Sequence, residues 1–424
     1  MKAPADADVV VVGGGASGLM AAGQAAREGA STLVLEKKPR PGLKLRITGK
    51  GRCNLSNTAG LEEFIRHFGE AGPFLRQALQ GFFVKDLIDF FRANGLETKV
   101  ERGGRVFPTS DRAQDVVAAL LGWTRGLGVR IRTREPVREI LVRDGAVTGV
   151  RTERAYSARA VILAAGGASY PATGSTGDGF RLAEGLGHRI VPVRPALVPL
   201  ETEAHGIPGG LSLRNVLVRV LVNGRKRREA FGEAMFTDRG LSGPVILTLS
   251  RMIVDELRKG SRVRLSLDLK PALEPRKLDA RLQRELALGG GKALKNQLKG
   301  LLPRLLIPVC LEHAEIDGEK PCHQTTSLER KRLLGWLKDY QLDVTGHMPL
   351  EEAIVTAGGV KRSEIDPRAM ESRLVKGLFF CGEVIDMDAD TGGYNLQAAF
   401  STGVLAGRSA ARRLEALERF ERRE

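Results

Sequence analysis

A glycine-rich turn between an apolar run and a helix constrains this chain more than any other feature. Asp8-Val9-Val10-Val11-Val12 reads as a buried parallel strand, because such a run needs cover on both faces. Gly13-Gly14-Gly15-Ala16-Ser17-Gly18 comes next, then a helix from Leu19 to Glu28 and a second strand from Ser31 to Glu36. Gly13 permits the tight turn, Gly15 lets a diphosphate approach the backbone, and Gly18 lets helix and strand pack closely. The helix N-terminus, at Ala16 and Ser17, offers unpaired N–H groups and a partial positive charge to phosphates. Glu36 lies 18 residues beyond Gly18, at the strand end, where a carboxylate can accept hydrogen bonds from ribose hydroxyls. A turn that was merely rich in glycine would not account for that carboxylate. The segment reads as a dinucleotide-binding βαβ unit, with NAD or FAD as its ligand.

The residues beyond Glu36 favour FAD. An NAD dehydrogenase would normally continue with further βα units and its own acid–base set. Here Lys37 to Asn54 is a loop rich in glycine and cations, carrying Lys44, Thr48, Gly49, Gly51, Arg52 and Cys53. Such a loop suits an extended cofactor. Ala160 to Gly167 is a second apolar run, closing on Ala165 and Gly166, with a helical stretch after it that ends near Gly187. Leu378 to Glu383 is a third, closing on Gly382 and Glu383. Thr391-Gly392-Gly393-Tyr394-Asn395-Leu396-Gln397 then opens a helix reaching about Ala416. A helix N-terminus aimed at a reduced flavin would stabilise its negative charge, and Glu383 is expected at the ribityl chain or a water beside the pyrophosphate. Alone, this third unit reads equally well as a βα unit without ligand. Beside the N-terminal unit, the flavin reading is preferred. Lys37 and Val137 complete the expected cofactor contacts.

The four cysteines, Cys53, Cys310, Cys322 and Cys381, form no CxxC pair, and the six histidines show no ligand spacing. Neither a disulfide framework nor a metal site is expected, and FAD is expected to be non-covalent. No apolar stretch of about 18 residues exists to span a membrane, and no cleavable leader is expected, since the first apolar run belongs to the strand. The expected location is cytoplasmic. Net charge is +16, and the residues from Val191 to Cys310 hold 22 Lys+Arg against 11 Asp+Glu. That asymmetry reads either as a face for nucleic acid or as a solvated basic surface. Within this stretch Leu213 to Val222 alternates in strand fashion, and Asn223-Gly224 signals a hairpin. Pro271 to Tyr340 is helical in pattern. Gly289-Gly290-Gly291-Lys292 stands after no strand and reads as an interhelical linker, not a second nucleotide fingerprint.

These segments together resemble one family, the BaiN/RdsA-type (YhiN-like) FAD-dependent oxidoreductases. The likeness rests on GGGASG at Gly13–Gly18, GLKLRITGKGRCNLSN at Gly42–Asn57 and VFPTSDRA at Val106–Ala113. It continues through VILAAGGASYPATGSTGDGF at Val161–Phe180, MFTDRGLSGPVIL at Met235–Leu247 and VTAGGV at Val355–Val360. LFFCGEVIDMDADTGGYNLQAAFSTGVLAG at Leu378–Gly407 completes it. Leu43 departs from the basic residue often found at that place. The resemblance implies an α/β, Rossmann-like FAD domain of the two-dinucleotide-binding-domain flavoprotein type, formed by residues 1–190 and 345–424. It also implies a small β-barrel-like insertion at 191–270 and a helical domain at 271–344. NAD(P)H is the implied transient electron donor.

Flavin N5 can deliver hydride to an electron-poor C=C bond, and the adjacent carbon then needs a proton. Cys53 is the first candidate donor, with packing beneath the flavin as the alternative. Arg52 is a candidate for binding substrate or cofactor. Tyr394 is a second possible donor, though it is more readily read as packing against the cofactor. Thr237, Asp238 and Arg239 stand in a glycine-rich segment without an assigned role. Three functions are open: reduction of uridine to dihydrouridine in ribosomal RNA, reduction of a small enone or steroid-like substrate, and a flavin-binding regulatory protein without turnover. The resemblance includes a ribosomal-RNA branch, and Arg225-Lys226-Arg227-Arg228 beside the hairpin turn suits phosphates. The low aromatic content, 5%, offers few platforms for stacking bases.

Overall fold

A computed structural model describes residues 5–203 and 206–421. Strand β1 (Ala7–Val12) lies inside a parallel sheet, which its apolar run requires. It pairs with β2 (Thr32–Glu36), Val10 facing Leu33, and on its other side with β9 (Ala155–Leu163), Val10 facing Val161. A small antiparallel sheet uses β3 (Ser56–Asn57), β4 (Thr98–Glu101) and β5 (Arg105–Pro108), with β5 central. Beyond these, β6 (Arg130–Thr133) joins the outer edge of β2, while β7 (Glu139–Arg143) and β8 (Ala146–Arg151) form an antiparallel meander beside β9. The strand β10 (Ile190–Ala196) leads out of this unit.

A closed barrel comes next. Its strands are β11 (Leu200–Thr202), β12 (Ser212–Val222), β13 (Arg225–Thr237), β14 (Gly240–Ser242), β15 (Val263–Asp268) and β16 (Tyr340–His347), in the order β11-β14-β13-β12-β15-β16. Asn223 (φ +48) and Gly224 (φ +78) make the β12–β13 turn, the pair of positive φ values that a two-residue hairpin loop requires. Helices at 275–289, 306–313 and 327–338 lie between β15 and β16. Their Leu282, Leu306 and Trp336 share one apolar core with Val218 and Leu265 of the barrel. The β-rich and helical insertions expected as two domains are thus one compact unit, 196–353. The last barrel strand, β16, comes only after the helical segment, and alternation within 191–270 could not reveal it.

Residues from Ile354 onward rejoin the first unit. Here β17 (Val355–Val360) pairs with β10, and β18 (Leu378–Phe380) adds to β9 in parallel, Phe379 facing Ile162. The last helix, Tyr394–Glu421, lies against the first, Ala16–Arg27. Small residues set how closely they approach. A Cβ on Gly403 would meet the Ser17 carbonyl, and one on Gly407, a turn later, would press into the Ala21 carbonyl. Among the described residues no helix is long and apolar enough to cross a membrane. The Gly407→Val substitution should lower stability by about 1–3 kcal/mol, the usual cost of forcing methyl groups into a packed interface. Chemical denaturation would read this as a lower midpoint, and an unchanged midpoint would refute the close-packing account.

Candidate active site

The phosphate turn is built as its glycines require. Gly13 has φ +105, and a Cβ there would lie 2.5 Å from the Ala164 carbonyl oxygen. A Cβ on Gly18 would overlap the Gly13 carbonyl. Gly15 differs: its φ is ordinary, and a Cβ there would meet no protein atom within 4 Å. Its glycine therefore leaves open space in front of the first helix, which begins at Ala16, with Ser17 and Gly18 buried in its first turn. The N–H groups of such a first turn have no partner inside the helix. The Glu36 side chain, buried at the end of β2, accepts hydrogen bonds from Gly14 N and Lys38 N, each at 2.8 Å. One carboxylate thus fixes the turn and keeps lone pairs for a ribose.

The two ends of the chain meet at Glu383. Its carboxylate accepts from Lys44 Nζ at 2.7 Å, from Thr356 N at 2.8 Å and from Ser169 Oγ at 3.3 Å. Lys44 Nζ also donates to Ser169 Oγ at 2.7 Å. Gly167, one residue beyond Ala165 and Gly166, packs so tightly on Thr356 that a side chain there would displace the Glu383 carboxylate. Gly382 (φ +75) lies against Ser17, and its N–H donates to Thr402 Oγ1 of the last helix. Glu383, expected at a ribityl chain or a water beside the pyrophosphate, ties the loop after β2, the segment after β9 and the C-terminal segment together.

The loop that carries Lys44 is partly helical, Leu43–Ile47, with left-handed Gly49 and Lys50 after it and Gly51 also at positive φ. The Thr48 hydroxyl donates to Leu45 O at 2.7 Å, so it braces this turn. Lys37 pairs with Asp178 at 2.6 Å. Val137 is buried in the core between β6 and β7.

The structure does not support two of the catalytic expectations. Cys53 is fully buried, and burial pushes its thiol up to about 12, with Thr48 alongside opposing. It touches no open surface and cannot meet a substrate in this conformation. Arg52 is committed to acidic partners. Its Nε donates to Asp111 at 2.8 Å, it pairs with Glu101, and its guanidinium lies 4.2 Å from the Phe107 ring centre. These contacts raise its pKa further and anchor the loop to the small antiparallel sheet.

At the N-terminus of the last helix, Gly392 and Gly393 have φ +136 and +102, and a Cβ on Gly393 would strike the Ser56 carbonyl. Asn395 braces the preceding loop through Ala389, at 2.9 and 3.0 Å, and Leu396 packs on the core. Tyr394 is buried, and burial pushes its phenol up to about 12. Its ring stacks on His67, centroids 3.9 Å apart, and His67 Nδ1 lies 3.0 Å from Asp390 Oδ2. Sequence reasoning missed His67 and Asp390, which lie 323 residues apart and carry no local signal.

The residues present fit FAD. The open space at Gly15 and the Glu36 carboxylate suit its ADP half. The Asn54 Oδ1 is buried without a partner, an acceptor of the kind a flavin ring N–H satisfies. Among the described residues no group of three or more His, Cys, Asp or Glu is arranged to hold a metal ion.

Two of these glycines, Gly15 and Gly18, should separate cleanly on substitution. Gly15→Ala should leave the melting temperature of the flavin-free protein at the parent value while weakening FAD retention at least tenfold. Gly18→Ala should lower the melting temperature itself. Thermal unfolding and bound-flavin absorbance check both, and equal effects would refute the assignment. All four cysteines are buried. Native protein at pH 8 should therefore resist a thiol reagent that titrates all four after unfolding. Because the folded-state pKa of Cys53 exceeds its ordinary 9.0, the stability from keeping this thiol neutral is whole below pH 9. It is lost as pH climbs towards 12.

Comparison with known proteins agrees with this geometry. The profile described as HI0933-like protein Rossmann domain matches residues 7–409. A 3-dehydro-bile acid delta(4,6)-reductase of Clostridium scindens is 35% identical, over 95% of this chain and 98% of its own. A ribosomal RNA dihydrouridine synthase of Escherichia coli is 29% identical, over 93% and 96%. Among solved structures, a 3-ketosteroid delta1-dehydrogenase from Sterolibacterium denitrificans shares the fold at TM-score 0.50 and 16% identity, over 96% of this chain and 99% of the other. The chain belongs to the HI0933-like Rossmann family, and it is an oxidoreductase.

Proposed function

We propose that the protein holds FAD non-covalently, takes electrons from NAD(P)H and saturates a C=C bond conjugated to a carbonyl, with uridine in ribosomal RNA as its substrate. The observation that carries this reading is the phosphate turn with its open Gly15 edge and buried Glu36. Both relatives are consistent with it. Dihydrouridine is uridine with its ring C=C saturated, and a delta(4,6)-reductase acts on double bonds conjugated to the 3-keto group. Bound flavin supplies the hydride. The chain supplies the cradle for the ADP half, the N-terminus of the last helix for negative charge, and a proton. With Cys53 sealed away, that proton is assigned to Tyr394, whose phenol remains protonated at neutral pH. His67 stacks on it and is held in turn by Asp390.

The RNA substrate is supported by the barrel unit. Arg225, Lys226, Arg227 and Arg228 are all exposed, and Arg262 sits beside their turn, its carbonyl bonded to Asn223 N at 2.9 Å. Phosphate contacts of this kind bind without reading sequence. A cytoplasmic location accords with such a substrate. The second reading, a small enone, is favoured by the higher identity to the bile-acid reductase.

Anaerobic NADPH should bleach the bound flavin. Ribosomal RNA lacking dihydrouridine should restore its colour and lose uracil absorbance, in a reaction that weakens steeply with salt. Reoxidation by a conjugated ketone and not by RNA would select the second reading. The Tyr394→Phe variant should keep NADPH-driven bleaching and lose at least tenfold in substrate-driven reoxidation. Undiminished reoxidation would remove Tyr394 from the proton step.

A further inference from the structure

We infer that the protein carries a second anion site, for the phosphate of a nucleotide-sized ligand, in a cleft beside the outer strand β6. The cleft has a volume of about 490 Å³, within the range of small-molecule sites. Three arginines line it from two segments, the loop after β2 and the helix Ala113–Gly126. Arg40 comes from the loop after β2, Arg46 from the short helix Leu43–Ile47, and Arg125 from the helix Ala113–Gly126. Leu121, Val129 and Ile131 supply an apolar wall.

Charge balance makes this cleft unusual. Several arginines elsewhere in this unit are paired with acids, as Arg52 is with Glu101 and Asp111. Among the described residues none of Arg40, Arg46 and Arg125 has a side-chain hydrogen bond or ion pair, and no carboxylate lines the cleft. The Nε of Arg46 is buried with no acceptor. A buried N–H is normally satisfied, and an unsatisfied one points to a missing partner. Three guanidiniums lining one cleft without a carboxylate leave it positively charged, and their planar forks match phosphate oxygens. The apolar wall beside them suits a base or another flat ring. The lining holds none of the phosphate turn, Glu36 or the Glu383 network, but it adjoins them, since Pro41 lies against Gly14 and Thr133 pairs with Glu36, so FAD and the second ligand are neighbours.

The test uses the FAD-loaded protein. Calorimetric titration with ADP should show one site per chain, at least tenfold tighter than adenosine and tighter than inorganic phosphate, with flavin absorbance unchanged. Arg125→Gln, an exposed and conservative change, should weaken ADP at least tenfold while FAD content and melting temperature stay at the parent values. Arg46→Gln should do the same. Tighter binding of 2′,5′-ADP than of ADP would identify the nicotinamide donor as the source of the phosphate, and the reverse order a free nucleotide. Either order supports the site. Absence of ADP binding, binding unaffected by Arg125→Gln and Arg46→Gln together, or binding that releases FAD would overturn it. So would binding of a short RNA with ADP silent, which would assign the arginines to a polynucleotide backbone.

Discussion

The first unit depends on one carboxylate. Glu383 sits near the C-terminus, yet its oxygens are claimed by Lys44 from the loop after β2, by Ser169 from the segment after β9 and by the backbone of Thr356. Lys44 and Glu383 are each only about a fifth exposed, so both charges have lost much of their hydration. Such a pair costs desolvation energy that its mutual attraction must offset, and removing either partner leaves the other charge uncompensated. The pair therefore contributes less to net stability than to selecting one arrangement. It fixes the loop that the sequence assigns to the cofactor, and it fixes Gly167 and Gly382 on either side. Gly382 in turn touches Ser17 in the first turn of the N-terminal helix, so the geometry of the phosphate turn is linked to the far end of the chain.

This linkage explains what the sequence made legible. The βαβ unit could be read from Asp8 to Glu36 because each of its constraints is local: an apolar run, a turn needing positive φ, a helix start and a carboxylate at a set distance. The Asn223-Gly224 hairpin was legible for the same reason. Barrel closure was not, because β11 and β14 are only three residues long and β16 arrives after the helical segment. Periodicity needs several residues to register, and no period announces which distant strand will close a sheet.

The candidate catalytic residues show the same division. Cys53 and Arg52 stood out because they are reactive or charged residues in a loop assigned to the flavin. In the structure that loop uses its polar groups to hold its own shape. Arg52 goes to Glu101 and Asp111, Thr48 to Leu45, and Lys44 to Glu383. Asp111 is also bonded to Lys99, so the acidic partners belong to a network across the small sheet and are not spare. A residue's chemistry can be read from sequence, but its availability depends on partners that only folding supplies.

That asymmetry leaves the proposed proton step to Tyr394, which the sequence already offered as a candidate, with His67 and Asp390 beside it, which carry no local signal. His67 ends a short helix, where nothing local marks it. Folding sets its ring on Tyr394 and its Nδ1 on Asp390, both from the glycine-rich entry to the last helix. An imidazole held at Nδ1 by a carboxylate has a fixed ring orientation. A buried phenol with a raised pKa keeps its proton at neutral pH. The glycines at 392 and 393 let the backbone turn tightly against Ser56, which brings Tyr394 into line with the helix N-terminus. In the proposed reaction the same turn would serve two needs, stabilising negative charge and placing a proton, and neither would require the thiol.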